Sequence, residues 1–376
     1  MNATPLKHLG SYRVEARGVR HVDRVLADEI DALARVAIEP NVFHESWMLA
    51  PALAHLGAAE LLLVAVRDGS GTLSGLFPLH LERRYHGVPL RCLRSWQHDY
   101  LFLGSPLVAA DGAERTIGAL LDWCASGDAP AGVLELLDVR ADGPLAAAIT
   151  AASHARGCAM RVAKSERALL DLRAPSRSGV SGKHKKELRR LERRLGDLGR
   201  LDYSDLAAGE DAEPWLERFL ALEAAGWKGR GGTALAARSG GRAFFLAAAR
   251  EASRRGRLQM LEMRLDGAAI AAKCNFIGGE GVFMFKIAYD ERYAKYSPGV
   301  LLELFGMGVL QAGATRFAWA DSCARPEHFM AERLWSDRRA LGDYSICARG
   351  RVARALITHA DRLRDLKRYV TASART

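Results

Sequence analysis

The sequence predicts an α/β protein of two domains, and three observations carry that prediction. The chain has 376 residues, more than a single hydrophobic core usually encloses. Short runs typical of buried strands alternate with longer runs whose apolar residues recur at helical intervals. A stretch rich in Ser, Gly and Pro, residues 173–182, separates two such series near Pro175. We therefore predict one domain over residues 1–175 and a second over residues 176–376.

Composition narrows the class of protein. Apolar residues make up 49% of the chain and charged residues 26%, which is typical of globular proteins. The net charge of +10 favours an anionic partner, such as a nucleotide cofactor, a nucleic acid or a membrane surface. Six widely spaced cysteines without a C-x-x-C pair indicate neither a zinc site nor a disulfide framework. No apolar run approaches the roughly 18 residues of a membrane span, so we expect a cytoplasmic protein, with peripheral membrane contact still open.

The first half carries its own α/β series. Periodicity predicts helices near 22–37, 113–125 and 144–156, and strands at 61–67, 73–82 and 133–138. The second half begins with a basic helix, Lys183 to Arg194, whose apolar side chains are Leu188, Leu191 and the adjoining Leu195. Further helices are predicted at 214–225, 241–255, 300–311 and from 352 to about 369, and strands at 258–265, 268–278, 281–289 and 316–320.

A turn between a strand and a helix is the first candidate site. Tyr296-Ser297-Pro298-Gly299 follows the strand at 281–289 and precedes Val300 and Leu301 of the next helix. Proline suits the first turn of a helix, and glycine lets a ligand approach the backbone closely. A helix start also attracts phosphate. The turn is therefore either an anion site or an ordinary strand-to-helix connection.

Charged groups near this strand form the second candidate site. Lys286 lies within the apolar strand, where an ammonium requires an ion pair or a cavity. Asp321 ends the strand predicted at 316–320, a position at which α/β folds place ligands, so both could meet at one cleft. His328 follows Pro326 at an apparent helix start and titrates near neutrality. Asp321, His328 and Lys286 are therefore candidate catalytic residues, with a structural ion pair and a surface histidine as the alternatives.

Three further segments allow both a functional and a structural interpretation. GWKGRGGTAL, with Trp227, Lys228 and Arg230, is either a loop that closes over a substrate or a plain glycine-rich loop. Trp96, His98 and Asp99 form a polar and aromatic cluster that either lines a groove between domains or packs within its own domain. The basic helix is either a surface for nucleic acid or anionic membrane, or a solvated helix packed by its leucines.

These motifs together resemble a known family. The residues are Lys286-x-x-Tyr289-Asp290-Glu291, the Tyr296 to Gly299 turn, the 227–234 loop, the Asp-Gly-x-x-Ile-Ala run of 266–271, Asp321, and Pro326-x-His328 followed by Trp335. The combination resembles GNAT-type acyltransferases of the CelD-like group, which is linked to exopolysaccharide (cellulose) biosynthesis and related to the Fem-type peptidoglycan transferases. It covers about 120 to 150 residues of the second half strongly and the first half only in general pattern.

The resemblance implies two tandem GNAT-like domains, each a mixed, mostly antiparallel sheet flanked by helices. The second domain would bind acetyl-CoA or another acyl-CoA, and the first would complete the acceptor groove. Phe285 and Ile287 would present the strand edge to the pantetheine arm, and the turn at 296–301 would hold the pyrophosphate. This turn lacks the Gln or Arg with spaced glycines of typical GNAT enzymes, so a donor other than CoA stays open.

The function expected from the resemblance is acyl transfer, most simply acetyl transfer, to an amine of a small molecule, an amino sugar or a polysaccharide precursor, without a metal. Trp227, Lys228, Arg230, Trp96, His98 and Asp99 would contact that acceptor. Two alternatives stay open. One is a Fem-type aminoacyl-tRNA-dependent transferase, although we expect no nucleic-acid partner. The other is a non-catalytic exopolysaccharide-assembly protein. The sequence does not predict an oligomeric state.

Overall fold

The structure, a computed structural model, describes residues 7–9, 11–57, 61–173, 181–325 and 329–359. Its strands, in chain order, are β1 Lys7–Leu9, β2 Tyr12–Gly18, β3 Leu61–Arg67, β4 Leu73–Glu82, β5 Cys92–Ser95, β6 Leu107–Val108, β7 Val133–Arg140, β8 Ala159–Asp171, β9 Leu201–Asp205, β10 Leu258–Leu265, β11 Ala268–Gly278, β12 Gly281–Tyr289, β13 Trp319–Asp321 and β14 Asp337–Cys347. The α-helices are α1 Arg24–Val36, α2 Ser46–His55, α3 Ala113–Ser126, α4 Pro144–Ala155, α5 Gly182–Gly196, α6 Glu213–Ala225, α7 Trp227–Arg230, α8 Gly241–Arg254, α9 Pro298–Ala312, α10 Phe329–Leu334 and α11 Arg351–Thr358.

The chain divides into two compact units. The first unit contains Met1–Asn41, Ala59–Ser165 and Ala340–Thr376, and the second contains Val42–Ala58 and Glu166–Arg339. The domain boundary predicted near Pro175 lies outside the described residues. The second unit instead starts at Glu166, ends at Arg339 and also takes Val42–Ala58 from the first half of the chain.

The sheet of the first unit is mostly antiparallel. Its strand order is β1-β2-β3-β4-β5-β7-β14, and β5 and β7 form the one parallel pair among those neighbours in the described residues. The apolar faces of α3 and α4 pack on it. Ile117, Leu120 and Ile149 are fully enclosed there, so the helical spacing of apolar residues serves the core.

The sheet of the second unit carries the candidate site. Its order is β8-β13-β12-β11-β10-β9, antiparallel except for the pair of β12 and β13. Helices α6 and α9 both contact β11 and β12. The predicted class, α/β with mixed and mostly antiparallel sheets flanked by helices, is confirmed.

Most predicted elements are present, and the misses have physical causes. The strands predicted at 61–67, 73–82, 258–265, 268–278 and 281–289 have the predicted bounds. The strand predicted at 316–320 instead spans Trp319–Asp321, because the amides of Arg316 and Phe317 bond the carbonyl of Gly313 at the end of α9. Helix α11 spans Arg351–Thr358, and the rest of the predicted final helix, residues 360–369, lies outside the described residues.

Helix α2 was not predicted, and it explains the unexpected start of the second unit. Trp47 packs on Phe276 with ring centroids 5.6 Å apart, and the preceding Phe43 packs edge-on against Phe283 at 5.7 Å. These aromatic contacts attach Val42–Ala58 to β11 and β12.

None of the helices among the described residues combines the length and apolar character that crossing a bilayer requires.

Candidate active site

The site is a gap between two parallel strands. β12 pairs with β13 from Gly281 to Phe283, opposite Trp319 to Asp321. β13 ends there while β12 continues to Tyr289, so the two strands part after Phe283. A cavity of about 160 Å³ opens at this point. Its lining residues are Lys228, Lys273, Met284, Phe285, Lys286, Ile287, Glu303, Ser322, Cys323, Ala324, Met330, Ala331 and Trp335.

A bulge in β12 sets which side chains reach the gap. The register between β11 and β12 changes from Cys274 opposite Lys286 to Asn275 opposite Met284, so it steps over Phe285. Consecutive strand residues point to opposite faces. Lys286 therefore projects toward α6, where it binds Glu223, while Ile287 shares the α9 face with its register partner Lys273.

A buried carboxylate organises the α6 face of the site. Glu223 is 1% exposed, and its Oε1 lies 2.7 Å from Lys286 Nζ and 3.9 Å from Lys228 Nζ. Its Oε2 accepts the amide of Leu235 at 2.8 Å. Lys228 Nζ also donates to the carbonyl of Ile287 at 2.6 Å, on β12 beyond the last pair with β13. Burial, followed by the charge of Lys286, lowers the pKa of Lys228 to about 8.

The α9 face of the cavity holds a buried ion pair and two buried polar atoms that no group in the described ranges satisfies. Lys273 Nζ donates to Glu303 Oε2 at 2.5 Å, and both side chains are almost fully buried. Glu303 Oε1 and Trp335 Nε1 are buried and have no hydrogen-bond partner among the described residues. Because buried polar atoms are nearly always paired, a carboxylate oxygen and an N–H of this kind at one cavity indicate a polar ligand.

The 227–234 loop is folded so that Lys228 enters the cavity. A Cβ atom at Gly229 would lie 1.8 Å from the carbonyl oxygen of Ala224, so only glycine fits this approach. Arg230 binds Glu291 at 2.5 Å, and Glu291 also accepts the amide of Trp227. The Trp227 side chain is 55% exposed. The loop thus lies beside β12, and the acceptor contacts of Trp227, Lys228 and Arg230 stay predictions.

The turn before α9 differs in detail from the predicted anion site. Ser297 adopts a left-handed conformation with φ of 55°, and its carbonyl accepts the amides of Val300 at 2.9 Å and Leu301 at 3.1 Å. Those two amides are thus already bonded within the turn. A Cβ at Gly299 would meet the Tyr289 ring at 3.3 Å, so glycine here also serves helix packing.

Two cations flank the same turn. Lys295 Nζ lies 5.0 Å from the ring centroid of buried Tyr296, and the guanidinium of Arg194, from α5, lies 6.0 Å from it. Any phosphate at this turn would therefore meet side-chain cations together with the helix dipole. The assignment of Tyr296, Ser297, Pro298, Gly299, Val300 and Leu301 to the cofactor stays a prediction.

Asp321 belongs to a buried ion cluster. The side chain is 0% exposed, its Oδ2 accepts from Arg167 at 2.7 Å and Arg339 at 2.6 Å, and its Oδ1 accepts the amide of Cys323. Burial raises the pKa of Asp321, but the two guanidinium groups outweigh it and hold the pKa below its ordinary value. The predicted meeting of Asp321 with Lys286 is replaced by these pairs. The three residues that follow it, Ser322 to Ala324, line the cavity in its place.

The remaining predicted site residues have varied outcomes. His328 and Pro326 lie outside the described residues. In the first unit, Trp96 is buried with its ring 4.8 Å from that of His98, whereas Asp99 is exposed. This cluster packs within its own unit, and its contact with an acceptor stays a prediction.

Cys323 lines the cavity but is not a suitable nucleophile. Burial raises the pKa of the Cys323 thiol far above neutrality, which does not favour a thiolate nucleophile in the cavity.

Comparison with known proteins finds a family match within the second unit. Residues 182–318 match the model of the acetyltransferase (GNAT) domain. This match contains α5 to α9 and strands β9 to β12, the part of the chain that forms one wall of the cavity. A search of curated protein sequences found no match.

Solved structures show the fold at low sequence identity. FemX is 9% identical with a TM-score of 0.55, over 88% of this chain and 98% of its own. L-PGS from Bacillus licheniformis is 13% identical with a TM-score of 0.53, over 90% and 97%. A C-terminal DUF2156 domain from Agrobacterium fabrum is 12% identical with a TM-score of 0.52, over 89% and 95%. At these identities the likeness concerns the fold alone.

Four residues of the site carry little signal in the sequence. Glu223, Lys273, Glu303 and Trp335 were not singled out, although Trp335 was part of the family pattern. Each lies in a segment whose sequence is dominated by the apolar periodicity of a helix or strand. A single polar residue within such a segment gives little indication of a functional site. A charged residue inside an apolar helix or strand, such as Glu303 in α9 or Lys273 in β11, was the one signal available, because such a charge requires a partner.

Proposed function

We propose that the second unit transfers an acyl group from an acyl-CoA thioester to an amine, with acetyl-CoA as the simplest donor. The observation that carries the proposal is the parting of β12 and β13 around a cavity that exposes a strand edge. An extended ligand with amide groups can bond such an edge as an added strand does. The pantetheine arm of CoA has that shape and those groups.

Individual residues would have separate roles in holding the donor. Phe285 and Ile287 would present backbone groups to the pantetheine amides, beside the Lys228 amine that donates to the Ile287 carbonyl. The turn at 296–301, with Lys295 and Arg194, would face the phosphates. The two lysines on the α6 face exceed their one shared carboxylate in charge, so they would stabilise the oxyanion of the tetrahedral intermediate.

Proton transfer needs one more group. The amine nitrogen attacks the thioester carbonyl, the C–N bond forms and the C–S bond breaks, while the amine loses a proton and the thiolate leaves. Glu303 Oε1 lies at the cavity and has no hydrogen-bond partner in the part of the chain that the structure describes, so it is positioned to take that proton. His328 and Asp321 stay alternative candidates. An amino sugar or polysaccharide precursor is the acceptor class that the family resemblance favours.

Filling the cavity tests the donor site directly. Ala324 is half-buried and lines the gap, so Ala324→Phe should block the pantetheine arm and lower CoA affinity at least about tenfold, measured by calorimetry. Ala314→Phe is the matched control, because Ala314 is equally half-buried but does not line this cavity. Thermal shift with CoA gives a second reading, since a ligand at 100 times its Kd stabilises the folded state by about 2.7 kcal/mol. Equal affinity in the two variants would refute the proposal.

A further inference from the structure

Three ammonium groups line one cavity, and they are not equally paired. Lys286 Nζ lies 2.7 Å from Glu223 Oε1, and Lys273 Nζ lies 2.5 Å from Glu303 Oε2. Lys228 Nζ is 3.9 Å from the Glu223 oxygen that Lys286 already binds. A carboxylate shared by two cations neutralises only one of them, so Lys228 is the lysine for which the neutral amine costs least.

The groups that face Lys228 support this ranking. Glu223 approaches from α6 and favours its charged form, as does the Trp227 ring on α7, whose centroid is 5.9 Å away. Lys286 approaches from β12 and opposes that form, and Lys273 and Glu303 line the far side of the cavity as a neutral pair. Burial and the charge of Lys286 outweigh these favourable contributions, so the pKa of Lys228 is lowered to about 8.

The neutral amine would also be suitably oriented. One of its N–H groups donates to the Ile287 carbonyl at 2.6 Å, which fixes the nitrogen at the exposed edge of β12. A neutral amine held in this way keeps a lone pair for attack, whereas an ammonium has none. The same edge is where the proposed thioester would lie.

We propose that Lys228 is a self-acylation site that accepts an acyl group from a thioester bound in the cavity. This inference rests on the proposed function for delivery of the donor. The Lys228 nitrogen attacks the thioester carbonyl, a C–N bond forms and the C–S bond breaks. The proton lost by nitrogen passes to the thiolate, so the products are an Nε-acyl-lysine and a free thiol. The new amide keeps an N–H for Ile287, loses the charge and occupies the cavity, so the modified protein binds CoA more weakly.

Competitive labelling with trace acetic anhydride tests the nucleophile without using the CoA site. At pH 8, a lysine of pKa about 8 has on the order of 100-fold more neutral amine than an ordinary lysine. Lys228 should therefore label faster than exposed Lys183 and Lys185. A second incubation uses acetyl-CoA, with peptide mass spectrometry to locate the acetyl group and Lys228→Arg and Lys164→Arg as variants. The acetyl group should be absent from Lys228→Arg and present in Lys164→Arg. Free CoA, added as a competitor, should protect Lys228 from acetylation by acetyl-CoA.

Each outcome has a meaning. Anhydride labelling of Lys228 no faster than that of Lys183 overturns the inference, whatever CoA does. Fast anhydride labelling, with CoA bound by calorimetry but no acetyl transfer from acetyl-CoA, also overturns it and leaves the proposed function standing. Absence of CoA binding together with fast anhydride labelling removes the proposed function and its thioester donor, and with them self-acylation, while Lys228 is still shown to be reactive.

Discussion

Arg339 Nη1 lies 2.6 Å from Asp321 Oδ2, and both side chains are shielded from solvent. Arg339 also stacks over Trp319, with its guanidinium carbon 4.0 Å from the ring centroid. Arg167 holds the other side of the same carboxylate. The cluster therefore joins β8, β13 and the start of β14 beside the gap, so it fixes the strand from which the cavity loop of Ser322 to Ala324 departs.

Asp321→Asn should destabilise the second unit strongly. Asp321 is the carboxylate that binds the buried guanidinium groups of Arg167 and Arg339, and breaking a buried pair by removing its negative charge costs about 3–5 kcal/mol. Denaturant unfolding measures the loss. Glu217→Gln is the control, because Glu217 pairs with Arg242 at the surface and should cost at most about 1 kcal/mol. An Asp321→Asn variant of normal stability that loses transfer would instead favour the acid–base role.

The Asp321 cluster also predicts a direction with pH. The pKa of Asp321 is lowered below its ordinary value of 3.8, so its contribution to stability is fully present above that pH. The contribution is lost as the pH falls through the still lower pKa of the folded state. Acid titration of unfolding should therefore show a smaller loss of stability below pH 3.8 in Asp321→Asn than in the parent protein. Identical acid profiles would contradict the predicted direction.

Trp335→Phe should separate stability from function. The Trp335 N–H is buried without a hydrogen-bond partner among the described residues, so its removal breaks no bond there, and the unfolding temperature should fall only by the packing lost with the smaller ring. Acyl transfer should fall if this N–H binds the ligand. Trp215→Phe is the matched control, because Trp215 Nε1 donates to Glu210 at 2.8 Å and its loss should lower stability while transfer persists. A strong loss of stability in Trp335→Phe would mean that the indole is structural.

The sequence predicted the strand, turn and loop that surround this site, but not the buried ion pairs within it. Strand β12, the turn at Ser297 to Gly299 and Lys228 were predicted because turn chemistry and apolar period are local signals. The ion pairs that define the cavity join residues far apart in the chain, such as Glu223 with Lys286 and Arg167 with Asp321. Helix α2 was missed for the same reason, since it is packed by β11 and β12, more than 200 residues later in the chain.

Arg194→Gln and Lys295→Gln should weaken CoA binding selectively. Both cations flank Tyr296 at the proposed phosphate turn, and an exposed ion pair contributes at most about 1 kcal/mol, so each change should cost up to about fivefold in CoA affinity. Acetyl-pantetheine, which lacks the nucleotide, should bind both variants as it binds the parent protein. Lys185→Gln in the same basic helix is the control. Equal losses for CoA and acetyl-pantetheine would exclude the phosphate role.

The basic helix α5 should not bind tRNA tightly, although it is the most highly charged segment of the chain. Leu188 and Leu195 are buried and Leu191 is partly buried, so the helix docks on its own unit by a leucine face. On the solvent side Glu187 forms a bidentate pair with Arg190. This pairing is typical of a solvated helix and leaves fewer cations for phosphates.

Filter binding to tRNA across salt concentrations decides this last prediction. A protein that neutralises many phosphates loses affinity steeply as salt rises, whereas we expect only weak binding near physiological ionic strength. Acyl transfer from acetyl-CoA should need no RNA. The variant with Gln at Lys185, Lys186, Arg189 and Arg190 removes four exposed cations and should leave transfer unchanged. The contrary result would be tight, salt-sensitive tRNA binding that this variant abolishes. That result would favour an aminoacyl-tRNA-dependent transferase, in which the acyl donor is carried on RNA.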